Sequence, residues 1–423
     1  MKRYNAYKDS GVKWIGEIPS HWDTKQFRRF FLIKKDVANC LGYDVLSVTQ
    51  KGLKVKDIES NEGQMANDYS KYQIVEVGDF VMNSMDLLTG YIDCAKQKGV
   101  TSPDYKSFKV RQAINLNKQY YLYIFQFCYK GRIFYNLGRG VSNKGRWRLP
   151  SENLNRFMLP VPPLHEQQAI VDYLKDKTFK IEQYVSARER ERELLDSLKQ
   201  SEIANVVTRG LNPNVKMKDS GIPWIGEIPE HWEPCRNKDI FEESKKIVGE
   251  NSSDYVLLSL TKQGVIVRDL SENKGKFPKE FNTYKVVEPG DMIFCMFDVD
   301  ETPRTVGLSQ NHGMITGAYD VFKIKRVLPK FALYYYLSID DRKALRPLYK
   351  GLRKVVPLPT FMSSKIFLPP LSEQQAIVAY IDEKLQKIDQ YMCDLQREID
   401  YLKEFKQRLI SDAVTGQLCV TKQ

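Results

Sequence analysis

The chain contains two basic, glycine-containing segments whose side chains are suited to binding phosphate groups. Guanidinium and ammonium groups are the usual partners of phosphate oxygens in nucleic acids. One pair of arginines, Arg146 and Arg353, corresponds at an offset of 207 residues (353 − 146), so the two segments hold related positions. The Lys and Arg residues of the two segments are Arg139, Lys144, Arg146, Arg148, Lys350, Arg353 and Lys354.

The charge balance of the whole chain also favours a polyanionic partner. Its 65 Lys and Arg residues outnumber 53 Asp and Glu residues, which gives a formal net charge of +12. Each phosphate that a cation neutralises releases condensed counterions, so an excess of positive charge favours binding to nucleic acid. Charge alone does not distinguish specific from non-specific binding.

The sequence lacks the common motifs of nucleotide-using and metal-dependent enzymes. It contains no G-x-x-x-x-G-K-[ST] and no strand-bounded G-x-G-x-x-G, and its Pro-Pro pairs lack a preceding Asn or Asp. The 7 Cys and 4 His residues are scattered, so we predict reduced cysteines and no metal site. Two carboxylate-containing fragments, Ser102–Lys106 and Glu243–Lys245, leave a self-contained metal-dependent nuclease open as an alternative. We nevertheless predict no catalytic residue.

The elements that must position the basic segments occur twice along the chain. The phrase KDSGVKWIGEIPSHWD, starting at Lys8, returns as KDSGIPWIGEIPEHWE, starting at Lys218, with 12 of 16 positions identical. A second pair, PPLHEQQAIV from Pro162 and PPLSEQQAIV from Pro369, closes each half. The repeat length is that of a domain and far exceeds a solenoid repeat of roughly 20–50 residues. The chain is therefore predicted to be a duplication. We expect His21 and His231 to have structural roles, each capping a turn beside its tryptophan.

Within each half, β-rich segments precede a single long helix. Stretches rich in β-branched and aromatic residues, such as YDVLSVT and YKVVEPGDMIF, predict strands. The apolar runs at 120–129 and 330–339 are compatible with either helix or strand, and we favour helices because charged residues follow each run. After the Pro-Pro pairs, long charged stretches with apolar residues at alternating spacings of four and three predict coiled-coil helices.

The apolar seam of these helices is regular in the second copy and interrupted in the first. Arg188 and Arg192 stand where the second copy has Leu395 and Ile399 (395 − 188 and 399 − 192 both equal 207). We expect the two helices to pack against each other, although a partner seam that supplies acids or a local shift of register would accommodate the arginines. The predicted seam residues are Leu174, Ile181, Val185, Leu195, Leu198, Ile381, Leu385, Ile388, Met392, Leu395, Ile399, Leu402 and Leu409.

Length and hydropathy set the remaining expectations. A chain of 423 residues exceeds the roughly 250–300 residues over which one core keeps growing, so two or more domains are expected. No apolar run approaches the roughly 18 residues that a membrane span requires. We therefore expect a soluble protein of the cytoplasm.

The paired openings and the paired PPLxEQQAIV segments together resemble the specificity subunits of type I restriction-modification systems, and the resemblance covers essentially the whole chain. It implies an α+β fold in which two tandem α/β target recognition domains are separated by two long helices that pack as an antiparallel coiled coil. The implied segments are recognition domain 1 at 1–160, spacer helix 1 at 161–210, recognition domain 2 at 211–367, and spacer helix 2 with the C-terminal tail at 368–423.

The same resemblance implies a function without catalysis. Each recognition domain would read one half of a bipartite double-stranded DNA target, and the helices would dock two modification (methyltransferase) subunits, which restriction and translocase subunits join. S-adenosylmethionine, ATP and Mg would then belong to the partner subunits, with no cofactor in this chain. A DNA-binding coiled-coil scaffold without sequence preference is a further alternative, besides the nuclease.

In this light the basic segments are predicted to contact DNA phosphates. Base reading requires groups that form bidentate hydrogen bonds, and glutamine pairs in this way with adenine. The segments 51–71 and 262–285 differ between the two halves, and we predict that the neighbouring Gln50 and Gln263 read adenine. For any one of these residues, a solvated surface position is an equally plausible interpretation.

Overall fold

The computed structural model of the chain describes residues 3–57, 66, 68–140, 147–268, 281–351 and 354–421. The chain divides into two compact units. Unit 1 combines Met1–Ala187 with Arg397–Gln423, and unit 2 is Arg188–Gln396. The sequence analysis predicted four consecutive segments, with each long helix as a segment of its own. In the structure, each compact unit instead contains a part of both long helices.

Unit 1 consists of short strands and helices followed by the first part of one long helix. Its helices are α1 (Phe27–Phe30), α2 (Lys118–Lys130), α3 (Ser151–Arg156) and the beginning of α4 (Leu164–Arg209), with a 3-10 turn at Tyr135–Leu137. Its strands are β1 (Tyr7–Asp9), β2 (Glu17–Pro19), β3 (Asp23–Gln26), β4 (Phe31–Lys34), β5 (Leu46–Thr49), β6 (Gly52–Val55), β7 (Gln73–Val75), β8 (Phe80–Met82), β9 (Ile92–Cys94), β10 (Gly99–Thr101), β11 (Lys106–Val110) and β12 (Met158–Val161).

The core of unit 1 lies between a four-stranded sheet and α2. The sheet has the order β4-β11-β8-β9, and antiparallel pairing joins its neighbours. Five phenylalanines from the sheet and helices pack edge to face or offset, which is the geometry that aromatic quadrupoles favour. They are the fully buried Phe27, Phe31, Phe80, Phe108 and Phe125.

Unit 2 repeats this sequence of elements. Its helices are the end of α4, α5 (Asn237–Ile240), α6 (Pro329–Asp341), α7 (Leu358–Ser363) and the beginning of α8 (Leu371–Val414), with 3-10 turns at Ser252–Asp254 and Arg346–Leu348. Its strands are β13 (Met217–Asp219), β14 (Glu227–Pro229), β15 (Glu233–Arg236), β16 (Phe241–Glu243), β17 (Leu258–Thr261), β18 (Gly264–Val267), β19 (Lys285–Val287), β20 (Met292–Phe294), β21 (Val306–Leu308), β22 (Gly313–Ile315), β23 (Asp320–Ile324) and β24 (Lys365–Leu368).

The sheet of unit 2 is ordered β16-β23-β20-β21, which is the order of unit 1 element by element. The predictions of helices at 120–129 and 330–339 are correct, because these runs form α2 and α6. Both helices bury mainly aromatic side chains against the sheet, and this explains why their hydrophobic runs are also compatible with strands.

In each unit, a part of α4 lies antiparallel to a part of α8. In unit 1, Lys406 pairs with Glu182, and the Tyr184 hydroxyl donates to Glu398 at 3.1 Å. In unit 2, three contacts run in the same opposing sense: Tyr391 with Glu191 at 2.6 Å, Lys199 with Asp389 at 2.6 Å, and Tyr380 with Glu202 at 2.5 Å. The predicted α+β fold, with two tandem domains and antiparallel long helices, is confirmed.

The seam of these helices is buried where the sequence predicts it, with one exception. Leu198 is 50% exposed, so its inclusion in the seam is wrong. The buried or partly buried seam residues are Leu174, Ile181, Val185, Leu195, Ile381, Leu385, Ile388, Met392, Leu395, Ile399, Leu402 and Leu409.

The two arginines in the first seam are accommodated by polar partners in unit 2. Arg188 pairs with Glu191 at 2.7 Å on its own helix, and Arg192 donates to Gln396 of α8. The facing helix thus provides an amide for Arg192, and the acid that meets Arg188 comes from α4 itself.

The part of the chain that the structure describes has no helix that is both long and apolar enough to cross a membrane. In the same residues, no group of three or more His, Cys, Asp and Glu side chains is arranged to hold a metal ion.

Candidate nucleic-acid interface

The first basic segment of unit 1 is closed at its base by backbone hydrogen bonds between two arginines. Arg139 N donates to Arg148 O at 2.8 Å, and Arg148 N donates to Arg139 O at 3.0 Å. The pair is anchored to the sheet because Leu149 N donates to Ser84 O at 2.9 Å, just beyond β8. Arg139 and Arg148 therefore project from a fixed position, whereas Lys144 and Arg146 lie outside the described residues.

The second basic segment has the same backbone arrangement in unit 2. Lys350 N donates to Val355 O at 2.9 Å, and Val355 N donates to Lys350 O at 3.1 Å. Val356 N donates to Met296 O at 2.8 Å, as Leu149 does to Ser84 in unit 1. These bonds make Lys350 the counterpart of Arg139 and Val355 the counterpart of Arg148. Arg353 lies outside the described residues.

The charge of the second segment is partly neutralised. Lys354 lies 3.5 Å from Asp300 and 3.7 Å from Glu301. Asp300 also pairs with Arg346 at 2.8 Å, and hydrogen bonding to Arg346 is the largest effect that holds the pKa of Asp300 below its usual range. Lys354 is therefore less available to a phosphate than the two arginines of unit 1.

The predicted adenine-reading glutamines lie in the turns of two exposed hairpins. In unit 1, β5 and β6 close at Thr49 and Gly52, so Gln50 occupies the first turn position. In unit 2, β17 and β18 close at Thr261 and Gly264, so Gln263 occupies the second. The two glutamines hold neighbouring, not equivalent, turn positions: the counterpart of Gln50 is Lys262. The reading of adenine by these two glutamines stays a prediction.

Sequence reasoning missed the partner that joins each opening phrase to its long helix. In unit 1, Glu166 accepts hydrogen bonds from Trp22 Nε1 at 2.9 Å and from the Tyr4 hydroxyl at 2.8 Å, and it meets His21 Nε2 at 2.6 Å. Burial raises the pKa of Glu166, but the hydrogen bonds from Trp22, Tyr4 and His21 outweigh it, and the net pKa lies below the usual range. His21 contacts a carboxylate here and does not cap a turn.

Unit 2 repeats this cluster around Glu373. Trp232 Nε1 donates to Glu373 at 3.2 Å, and His231 Nε2 meets the same carboxylate at 2.8 Å. The signal in the sequence was the presence of both a His-Trp pair and a Glu-Gln pair in each half, 145 residues apart in the first and 142 in the second. Their repetition is visible in the sequence, but the contact between them requires the fold.

The glutamine after each glutamate fixes the neighbouring helix. Gln167 donates to Pro162 O at 2.9 Å and accepts from Asn117 N at 2.9 Å, just before α2. Gln374 donates to Pro369 O at 2.9 Å and accepts from Leu328 N at 3.0 Å, just before α6. The repeated Pro-Pro-Leu-x-Glu-Gln segment thus links the opening phrase, the long helix and the sheet-packing helix of its unit. Its recurrence is structural.

Comparison with solved structures defines the class of the fold. The chain resembles one from a structure described as the structural basis underlying complex assembly and conformational transition of the type I R-M system. The TM-score is 0.66 at 13% identity, and the match covers 95% of this chain and 99% of the other. The duplicated α+β units and their long helices are therefore an architecture found in type I restriction-modification proteins.

Sequence comparison then shows which proteins the chain is similar to. The model of the type I restriction modification DNA specificity domain matches residues 27–186. A chain of Methanocaldococcus jannaschii, provisionally named type I restriction enzyme MjaX specificity subunit, is 24% identical over 98% of both chains. The type I restriction enzyme MjaVIII specificity subunit of the same organism is 25% identical over 62% of both. The chain is thus similar over its whole length to a type I restriction-modification specificity subunit, and its residues 27–186 match the specificity-domain model of that family.

Proposed function

We propose that the chain reads a bipartite double-stranded DNA target, with one half of the target bound by each unit. The observation that carries this proposal is the repetition of one scaffold with different surface residues. The sheet order is the same in both units, while the hairpin turn reads Gln50-Lys51 in one and Lys262-Gln263 in the other. A shared scaffold fixes the geometry of reading, and different exposed side chains give different base contacts.

The proposal includes partner subunits that dock on the long helices. Two modification subunits would bind here, and restriction and translocase subunits would join them. Helix faces of unit 2 offer apolar side chains for such contacts: Leu194 is 71% exposed and Leu198 is 50% exposed. In unit 1, Phe179 is 57% exposed and Tyr401 is 68% exposed. Exposed apolar groups on a helix pair are typical of protein interfaces.

In this proposal the chain has no catalytic role and holds no cofactor. S-adenosylmethionine, ATP and Mg would be bound by the partner subunits, which would act wherever this chain places them. A subunit of this kind works beside genomic DNA, so we place it in the cytoplasm. The two alternatives, a self-contained nuclease and a scaffold without sequence preference, receive no support from the specificity subunits to which the chain is similar.

The test is to express the chain with a candidate methyltransferase subunit in a host that lacks adenine methylation. N6-methyladenine would then be mapped across the genome by single-molecule sequencing. The proposal predicts methylation at one split motif, and its loss when this chain is omitted. Methylation without a motif, or an unchanged motif in the absence of the chain, would refute it.

A further inference from the structure

Unit 1 contains a concave basic cavity that the assignments above do not explain. Its volume is about 540 Å³, and it lies between the edge of β4, the start of β11 and the arginine pair at the base of the first basic segment. Four of its lining cations are Lys35, Lys106, Arg139 and Arg148. A fifth, Lys34, is already paired with Asp79 at 2.6 Å.

The cavity is also lined by one exposed carboxylate, Asp104, which forms no ion pair with these four cations among the described residues. Among the residues that the structure describes, none of the four forms an ion pair within 4.0 Å of a carboxylate. Lys106 donates to the neutral Ser151 hydroxyl at 3.0 Å. Burial, followed by repulsion from Lys35 and Arg148, lowers the pKa of the Lys106 ammonium group. Lys106 is partly buried and the other three cations are exposed, and an anion that enters the cavity would offset the repulsion between these like charges.

The corresponding place in unit 2 is built differently. Lys106 pairs with Met82 across the sheet, and Asp320 pairs with Phe294 in the same register, so Asp320 is the counterpart of Lys106. Asp320 forms an ion pair with Lys285 at 3.1 Å.

Two further cations, Arg148 and Lys34, are replaced in unit 2, whereas Arg139 and Lys35 have basic counterparts in Lys350 and Lys245. Val355 stands at the position of Arg148, as the backbone hydrogen bonds of the two basic segments show. Ser244 follows β16 at the position that Lys34 occupies at the end of β4. Without a lysine at this position, burial is the largest effect on Asp291, the counterpart of Asp79, and it raises the pKa of Asp291.

From this difference we infer that the unit 1 cavity is a phosphate site that holds one backbone phosphate of the DNA, and that unit 2 has no equivalent. The inference rests on the proposed function, since it assigns the ligand to DNA. Lys106 and Arg148 provide an ammonium and a guanidinium from two different elements, β11 and the basic segment, which defines one position for the anion. The two units then contribute unequally to affinity, although each reads its own half of the target.

The predicted effect is on affinity and its salt dependence, and not on the sequence that is read. Each phosphate contact contributes about 0.9 to the slope of log K against log salt concentration. Lys106→Gln and Arg148→Gln should each lower that slope by roughly one and weaken binding to all sequences alike. Lys109→Gln is the matched control, because Lys109 is an exposed lysine of the same strand and does not line the cavity.

The experiment is a salt titration of DNA binding by the full chain, with duplexes of different sequence, for wild type and the three variants. Lys106→Arg, which keeps the positive charge, should restore the wild-type slope and thereby exclude a folding defect. An unchanged slope in Lys106→Gln and Arg148→Gln, or an equal drop in Lys109→Gln, would overturn the phosphate site. If inorganic phosphate stabilises wild type but not Lys106→Gln while the DNA slope stays unchanged, the cavity binds free phosphate only, and the inference also fails.

Failure of the proposed function would look different. The wild-type chain would then bind duplexes of every sequence equally, and the methylation map would show no motif. The salt slope of the variants would still decide whether the cavity holds a backbone phosphate.

Discussion

Trp22 and Glu166 are joined by a hydrogen bond of 2.9 Å, although 144 positions separate them in the chain. The bond connects the end of the opening phrase to the first turn of α4. Trp232 and Glu373 form the same connection in unit 2. In each unit, the opening phrase is therefore hydrogen-bonded to the first turn of the long helix that begins in that unit. This contact fixes the direction in which the helix starts.

Replacing Glu166 by Gln should destabilise unit 1 by about 1–3 kcal/mol, the usual cost of leaving a buried polar group unsatisfied. The Gln side chain has a single acceptor oxygen, whereas Tyr4, Trp22 and His21 now contact both oxygens of the Glu166 carboxylate. The local free energy of opening can be measured by hydrogen exchange on peptides from 17–30 and 164–175. Glu373→Gln is the matched control, because the Glu373 side chain is 25% exposed and that of Glu166 only 6%. Equal losses in the two variants would contradict this account.

The same carboxylate predicts a pH dependence. The pKa of Glu166 is lowered in the folded state, where the hydrogen bonds from Trp22, Tyr4 and His21 outweigh burial. In the unfolded chain the group titrates near about 4.3. Its contribution is complete above that value and is lost as the pH falls through the lower, folded-state pKa. The protection factors of unit 1, corrected for the intrinsic pH dependence of exchange, should therefore fall on acidification below about 4.3, and Glu166→Gln should flatten this response. An identical pH profile in the variant would refute the assignment.

The seam of α8 offers a second matched pair, this time in unit 2. Leu395 is 2% exposed, so Leu395→Ala should cost about 2–5 kcal/mol through lost transfer energy and a cavity. Leu194, which is 71% exposed on α4, should change stability by less than about 0.5 kcal/mol when replaced by Ala. Urea unfolding of both variants tests this difference. If Leu194 contacts a modification subunit, Leu194→Ala should also reduce co-purification of that subunit while leaving the chain folded.

The C-terminal end of α8 should be sensitive to one added methyl group in unit 1. Gly416 has φ +79°, and a Cβ atom there would lie 2.4 Å from Pro19 and 3.0 Å from Trp22. Gly11 has a similar φ of +69°, with no atom within 4 Å of such a Cβ. Both Ala variants incur a backbone cost of about 1 kcal/mol, and only Gly416→Ala adds a steric clash. If the thermal unfolding midpoint fell equally in Gly416→Ala and Gly11→Ala, the contact between Gly416 and the opening phrase would contribute nothing to stability, which would contradict this account.

The sequence predicts the architecture well because the duplication presents each helix and strand in two copies, and the two copies can be compared. The strands, the two sheet-packing helices and the long helices follow from periodicity and from the Pro-Pro boundaries. Leu198 was misassigned because the covered face of α4 continues from Leu195 through Lys199 and Ile203, four residues apart, and so leaves Leu198 exposed. The partner of Arg192 depends on the register of the facing helix, which spacing does not determine, whereas Arg188 meets Glu191 on its own helix.

The candidate site is less accessible to sequence reasoning. Arg139 and Arg148 belong to a segment that composition singles out, but no pattern in the sequence places Lys35, just after β4, and Lys106, in β11, at the same cavity. The equivalence of Lys106 with Asp320 follows from the strand register, in which Phe108 and Phe322 also correspond. The predicted contribution of Lys354 is reduced by Asp300, which lies 54 positions earlier (354 − 300) and is brought to it only by the fold.

The central claim, that each unit reads one half of a split target, is tested most directly by exchanging one unit's recognition segment. Residues 27–156 would be replaced by the corresponding segment of one of the similar specificity subunits, leaving α4, α8 and unit 2 unchanged. Methylation would then be mapped in the co-expression host. The account predicts that one half of the motif changes while the other half and the spacing between them remain. A change in both halves, or a motif that stays the same, would contradict it.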